Sequence, residues 1–140
     1  MIKINFSTKV RSPFGLTQVK KILSQAARFS GKIKGEVEIN LVGDKLIREL
    51  NKNYRGKDQT TDVLSFAWRE AGDKENLGQI FISYPQIKRQ AKEYGVPVKQ
   101  EFTRMLAHGV LHLVGFDHLK EKDAKKMFTL QEKIVNRFFL

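Results

Sequence analysis

Residues 97–118 read PVKQEFTRMLAHGVLHLVGFDH, and the spacing of their apolar positions predicts one long helix with a buried side. Pro97 suits the opening of a helix. Val98, Phe102, Leu106, Val110 and Leu113 then recur at helical intervals, and Gly115 can end the helix in the left-handed conformation. His108 and His112 lie four residues apart, so at 3.6 residues per turn they leave the helix within about 40° of each other. A chain that turns back after Gly115 can deliver His118 beside them. These are the only three histidines among 140 residues.

The flanking chain supplies the elements this helix packs on. Ile2-Lys3-Ile4-Asn5-Phe6 alternates as a strand should. Leu16, Val19, Ile22, Leu23, Ala26 and Ala27 recur at helical spacing, with Gly31 as a stop. Val37, Ile39 and Leu41 mark a second strand, and Asp44 is expected to cap a short helix reaching about Tyr54. A polar loop, RGKDQTT, leads to a third strand, DVLSFAW, and the turn REAGDKEN separates it from a fourth, GQIFISY. These last two should form a β-hairpin. Pro85 suits the start of a helix ending near Gly95, while Met127, Leu130, Ile134 and Phe138 outline a final one. The expectation is a single α+β domain over residues 1–140, a small mixed four-stranded sheet packed with about five helices. Strand order does not follow from the pattern.

Composition narrows the function classes. Zero cysteines remove disulfides, thiolate catalysis and cysteine-type zinc sites. No apolar run approaches the ~20 residues of a membrane span, and MIKINFSTKV lacks a signal-peptide core. The expected location is the cytoplasm, away from membranes. Lys and Arg number 26 against 15 Asp and Glu, a net charge of +11. Such a field attracts polyanions; a Lys/Glu-rich thermostable surface is the alternative, but it usually balances its signs more closely.

Three imidazoles with one open position are what a catalytic zinc ion requires, since water takes the fourth place. The spacing of His108, His112, Gly115 and His118 follows the metzincin protease pattern H-E-x-x-H-x-x-G-x-x-H, except that Gly109 stands where the protease has its general-base glutamate. The metal cage is kept and the protease base is absent. Zinc lowers the pKa of a coordinated water toward ~7, which makes a strong protein base dispensable. The competing explanation is chance spacing of core or surface histidines.

HGVLHLVGFDH, together with TDVLSF at 61–66 and LNKNYRGKD at 50–58, resembles the YbeY family, metal-dependent endoribonucleases of ribosomal RNA maturation. The resemblance runs from about Val37 to the last helix. It implies one zinc ion held by His108, His112 and His118, and an essential arginine at Arg55. It further implies cleavage of single-stranded RNA at the 3′ end of 16S ribosomal RNA, a part in ribosome quality control, and no DNA substrate. Two positions depart from the family pattern: Gln79 stands where an aspartate is common, and Thr60 where a proline is common. The first puts in doubt any proton transfer or second metal on the fourth strand.

Chemistry supports a role for Arg55 independently. A phosphodiester passing through five-coordinate phosphorus needs positive charge on its oxygens, and a guanidinium is a permanently charged fork suited to phosphate. Lys57 is a candidate for a neighbouring phosphate. Asp117 can accept from an imidazole or cap a turn. Glu101 and Arg104 share the His108 face of the helix, as cleft residues or as a helical ion pair. Phe66 and Trp68 read as packing residues rather than base-stacking ones, and KEKDAKK at 120–126 as a solvated face. Beside the endoribonuclease stand two other readings: an RNA-binding ribosome-assembly factor with a structural metal, and a metallopeptidase, which the missing glutamate and the basic charge both disfavour.

Overall fold

The computed structural model describes residues 2–116 and 120–139. In chain order the elements are β1 (Ile2–Thr8), α1 (Leu16–Ala27), β2 (Gly35–Val42), α2 (Asp44–Arg55), β3 (Val63–Ala67), β4 (Gly78–Ser83), α3 (Tyr84–Tyr94), α4 (Val98–Leu113) and α5 (Glu121–Phe139). The expected α+β architecture, four mixed strands with five α-helices, is what forms. The strand order is β1-β2-β4-β3, with β1, β2 and β4 parallel and β3 antiparallel to β4. The anticipated hairpin is thus present, entered through a short 3₁₀ turn at Trp68–Ala71.

Alternation along the strands decides which helices sit where. Val37, Ile39 and Leu41 of β2 and Ile80 and Ile82 of β4 face one side and are fully buried. They join Val19, Leu23, Phe102, Leu106, Val110, Met127 and Ile134, so α1, α4 and α5 share this core. The opposite face carries a smaller cluster of Val42, Leu64 and Ile47, with Leu50, Phe66 and Phe81 packed on it, which is where α2 lies. Among the described residues no helix is long and apolar enough to cross a membrane.

Two expected boundaries shift for physical reasons. Gly43, not Asp44, is the N-cap of α2. The Asp44 carboxylate is engaged elsewhere, accepting from Ser83 Oγ at 2.9 Å and from both Nη atoms of Arg89 at 2.9 Å. Arg55 is the last helical residue of α2 rather than part of the following loop, because the helix runs on until Gly56 turns left-handed at φ 70°. Asp58 then ties that loop back to α2 through Arg48 at 2.8 Å.

α4 is the element on which the site is built, and its backbone comes very close to the sheet. A Cβ at Gly109 would stand 3.1 Å from Ser65 Oγ and 3.2 Å from both Cδ1 and Cγ2 of Ile80. Ser65 Oγ donates to the Gly109 carbonyl at 3.2 Å. Ile80 is locked in the core, so nothing at this crossing can give way easily. At its far end α4 stops in a Schellman arrangement, with Gly115 N–H donating to His112 O and Phe116 N–H to Leu111 O, both at 3.0 Å. Gly115 has φ 102°, as that cap requires.

The packing at Gly109 yields a graded prediction. Gly109→Ala gains ~1 kcal/mol of helix propensity against ~1–3 kcal/mol of overpacking, a small net loss. Gly109→Glu presses an unpaired carboxylate against the sheet and should cost about 3–5 kcal/mol. Urea denaturation of the three proteins checks the order; a Gly109→Glu protein as stable as wild type would refute this crossing.

Candidate functional site

Because Gly109 faces the sheet, the residues on either side of it in the helix lie along the edge of the contact. His108 and His112, each part-buried, have ring centroids 4.7 Å apart at an interplanar angle of 79°. Both line a cavity of about 440 Å³ that is also walled by Thr61, Asp62 and the whole of β3. Two imidazoles one helical turn apart, opening on one cavity, are a donor set suited to a shared divalent ion. His118 and Asp117 lie outside the described residues.

Arg55 lines the same cavity as His108 and His112, although it comes from the C-terminal end of α2. The chain reaches this arrangement because α2 and α4 lie on opposite faces of the sheet and both border the β3 edge. Lys57 does not share the cavity wall; it sits exposed on the loop that follows, its N–H donating to Asn51 O at 3.3 Å. Two acidic residues of the wall, Asp62 and Glu70, are absent from the expectations. Asp62 bonds its own turn, accepting from Val63 N–H at 2.7 Å, while Glu70 stands exposed at the rim.

Gln79 lines a neighbouring cavity with Tyr54, Trp68 and Phe81 instead of the histidine cavity. Its amide donates to Glu38 Oε2 across the strand pair at 2.8 Å. The substituted aspartate therefore belongs to the α2 face of β4. Phe66 packs against Tyr54 and Phe81, with centroids at 5.2 and 6.0 Å, in the packing role expected of it.

Glu101 and Arg104 form the ion pair anticipated for them, at 3.1 Å, but as part of something larger. Arg104 also grips both carboxylate oxygens of Glu132 on α5, each at 2.9 Å. Gln131 Nε2 donates to Glu132 Oε2 at 3.1 Å, and Gln131 Oε1 lies 2.7 Å from His108 Nδ1. Gln131 was missed by sequence reasoning. Its signal was there: a polar residue on the stripe of Met127 and Ile134, buried with them.

The family model described as Endoribonuclease YbeY matches residues 4–139. Curated relatives of that name include one from Halalkalibacterium halodurans, 41% identical, the match covering 89% of this chain and 86% of the relative. Another, from Bacillus licheniformis, is likewise 41% identical with the same coverage. The solution structure of TM1509 from Thermotoga maritima superposes with a TM-score of 0.65 at 29% identity, over 97% of this chain and 87% of that one.

The Arg104 fork holds the Glu132 carboxyl below its ordinary value of 4.5, its hydrogen bonds outweighing the effect of burial. A lowered folded-state value makes the contribution of this pair complete at neutral pH and removes it as pH falls from about 4.5 through the lowered value. In Glu132→Gln that part of the acid dependence should vanish. Urea melts between pH 7 and pH 3 measure it; parallel stability curves for wild type and variant would refute the coupling.

Proposed function

Because this chain belongs to the YbeY endoribonuclease family, we propose that the cavity shared by His108, His112 and Arg55 is where it cleaves RNA. The protein is an endoribonuclease and thus a hydrolase of phosphodiester bonds. The single observation that carries the assignment of the site is the convergence of Arg55, from α2, on the wall that holds both described histidines. We further assign ribosomal RNA of the small subunit as substrate, a cytoplasmic place of action and one zinc ion per chain, held by His108, His112 and His118.

A zinc ion, when bound, supplies Lewis acidity and activates water at neutral pH. The residues of the chain do the rest. Arg55 directs a planar, permanently charged fork at the non-bridging oxygens of the scissile phosphate, where negative charge accumulates in the transition state. It needs no change of protonation to do so. Gly109 places the sheet, instead of a glutamate, at the position of the protease base, so the metallopeptidase reading lacks its proton acceptor. A structural role for the metal would leave the convergence of Arg55 without purpose.

The strand needs a track as well as a cleavage point. A groove of about 520 Å³ adjoins the cavity, sharing Glu70 and Leu113 with it, and is lined by Lys32, Lys34, Arg69 and Lys74. Four cations along one groove, in a chain of net charge +11, suit the phosphates of a single strand leaving the site.

Three outcomes are expected. Purified wild type binds zinc at one equivalent and His112→Ala does not, by elemental analysis; equal content in both would sink the metal assignment. In single-turnover cleavage of a defined RNA, Arg55→Ala falls by about a hundredfold or more, and Arg55→Lys recovers little, with zinc content and melting temperature unchanged. Cleavage at the wild-type rate in fully loaded Arg55→Ala would remove Arg55 from the site. The triple variant of Lys32, Lys34 and Lys74 to Ala should lower the salt slope of single-stranded RNA binding by about 2, at ~0.7 for each phosphate no longer neutralised; an unaltered slope would place the strand elsewhere.

A further inference from the structure

The polar line behind His108 has a direction. Arg104 can only donate, so Glu132, held ionised by it, can only accept. Glu132 Oε2 receives the Gln131 Nε2 at 3.1 Å, which leaves Gln131 with its carbonyl oxygen turned to His108 Nδ1 at 2.7 Å. A carbonyl oxygen carries only lone pairs, so the hydrogen of that bond must come from the ring. In the neutral imidazole the proton then sits on Nδ1, and Nε2 presents its lone pair.

We propose that Gln131 is a positioning residue that fixes His108 as the Nδ1–H tautomer with Nε2 ready for a metal, and that Arg104 and Glu132 act by fixing which way the Gln131 amide points. Free imidazole side chains have no such constraint, and a ring in the wrong tautomer or rotation must rearrange before it can ligate. The inference rests on the reading of His108 as a metal ligand. Three features suit Gln131 to the task. It is 4% exposed, so water does not compete for its carbonyl. It comes from α5, a different helix from the one it supports. Its far end is anchored by a two-pronged ion pair, not by a flexible partner. Partners of this kind, a carbonyl or carboxylate on the other nitrogen of a ligating histidine, orient the ring and are worth about 10–100-fold in metal affinity.

The test uses the full chain, with zinc as probe and a chromophoric chelator as competitor. It is joined to ¹⁵N NMR of the histidine rings in the zinc-free protein. Wild type should show His108 as the Nδ1–H tautomer. Gln131→Met, which keeps the volume but loses the acceptor, should lose that signature and weaken zinc by about 10–100-fold while remaining folded. Gln131→Glu, which keeps an acceptor at Nδ1, should retain the tautomer and bind zinc more tightly than Gln131→Met. An Nε2–H ring in zinc-free wild type overturns the proposal, as does Gln131→Met with wild-type zinc affinity beside a defective His108→Ala. Equal loss in the Met and Glu variants overturns it too, because a merely structural residue would behave so. His108→Ala with undiminished zinc affinity fails differently, taking down the metal reading itself along with the inference.

Discussion

The crossing of α4 over the β3–β4 hairpin at Gly109 is the constraint from which the site follows. With a Cβ there brought to 3.1–3.2 Å from Ser65 and Ile80, the helix axis lies closer to the sheet than a larger side chain would permit. The residue before Gly109 and the one three after it then fall at the margin of the contact. They have one flank against the protein and the other open to the cavity. Moving the helix outward by even one methyl group would shift both imidazoles relative to β3 and to the end of α2. The same closeness explains the departure from the protease pattern. A glutamate at 109 would project not into the cavity but into the sheet, so its absence is a packing requirement of this fold.

Elements whose signal is local were legible in the sequence. The alternation of β1 and β2, the apolar period of α4 and the glycines at 95 and 115 each carry their own short-range physics, and α3 and α4 end where those glycines turn left-handed. The strand order was not legible, because parallel pairing of β2 with β4 is decided by the shared core and not by either strand alone. Asp44 shows the limit on a smaller scale. An aspartate ahead of a helix reads as a cap, but Ser83 and Arg89, distant in sequence, compete for its oxygens and win.

The site divides along the same line. Histidine spacing is a local property and identified the metal-ligand candidates. The place of Arg55 had been a matter of resemblance and of guanidinium chemistry until the fold brought α2 to the β3 edge. Lys57, two residues on, follows a helix stop and departs from the cavity, since the left-handed turn at Gly56 redirects the chain. Adjacency in sequence does not survive a turn of that kind.

Behind the cavity, polar side chains continue without a break from His108 to the start of α2. Beyond Arg104 the line passes through the buried Glu101, which accepts from Gln90 Nε2 at 2.8 Å. Gln90 accepts in turn from Gln86 at 3.1 Å, and Gln86 from Arg89, which holds Asp44. Each glutamine lies between a group that donates to it and one that accepts from it, so none of the amides is free to reverse. Neither the buried members, Glu101 and Gln131, where desolvation offsets most of what the bonds return, nor the exposed ones, where water screens the charges, make the line a strong source of stability. Its effect is instead on uniqueness: an amide with one allowed orientation transmits that orientation to its neighbour. α5 and α3 are thereby tied to the setting of one imidazole ring on α4.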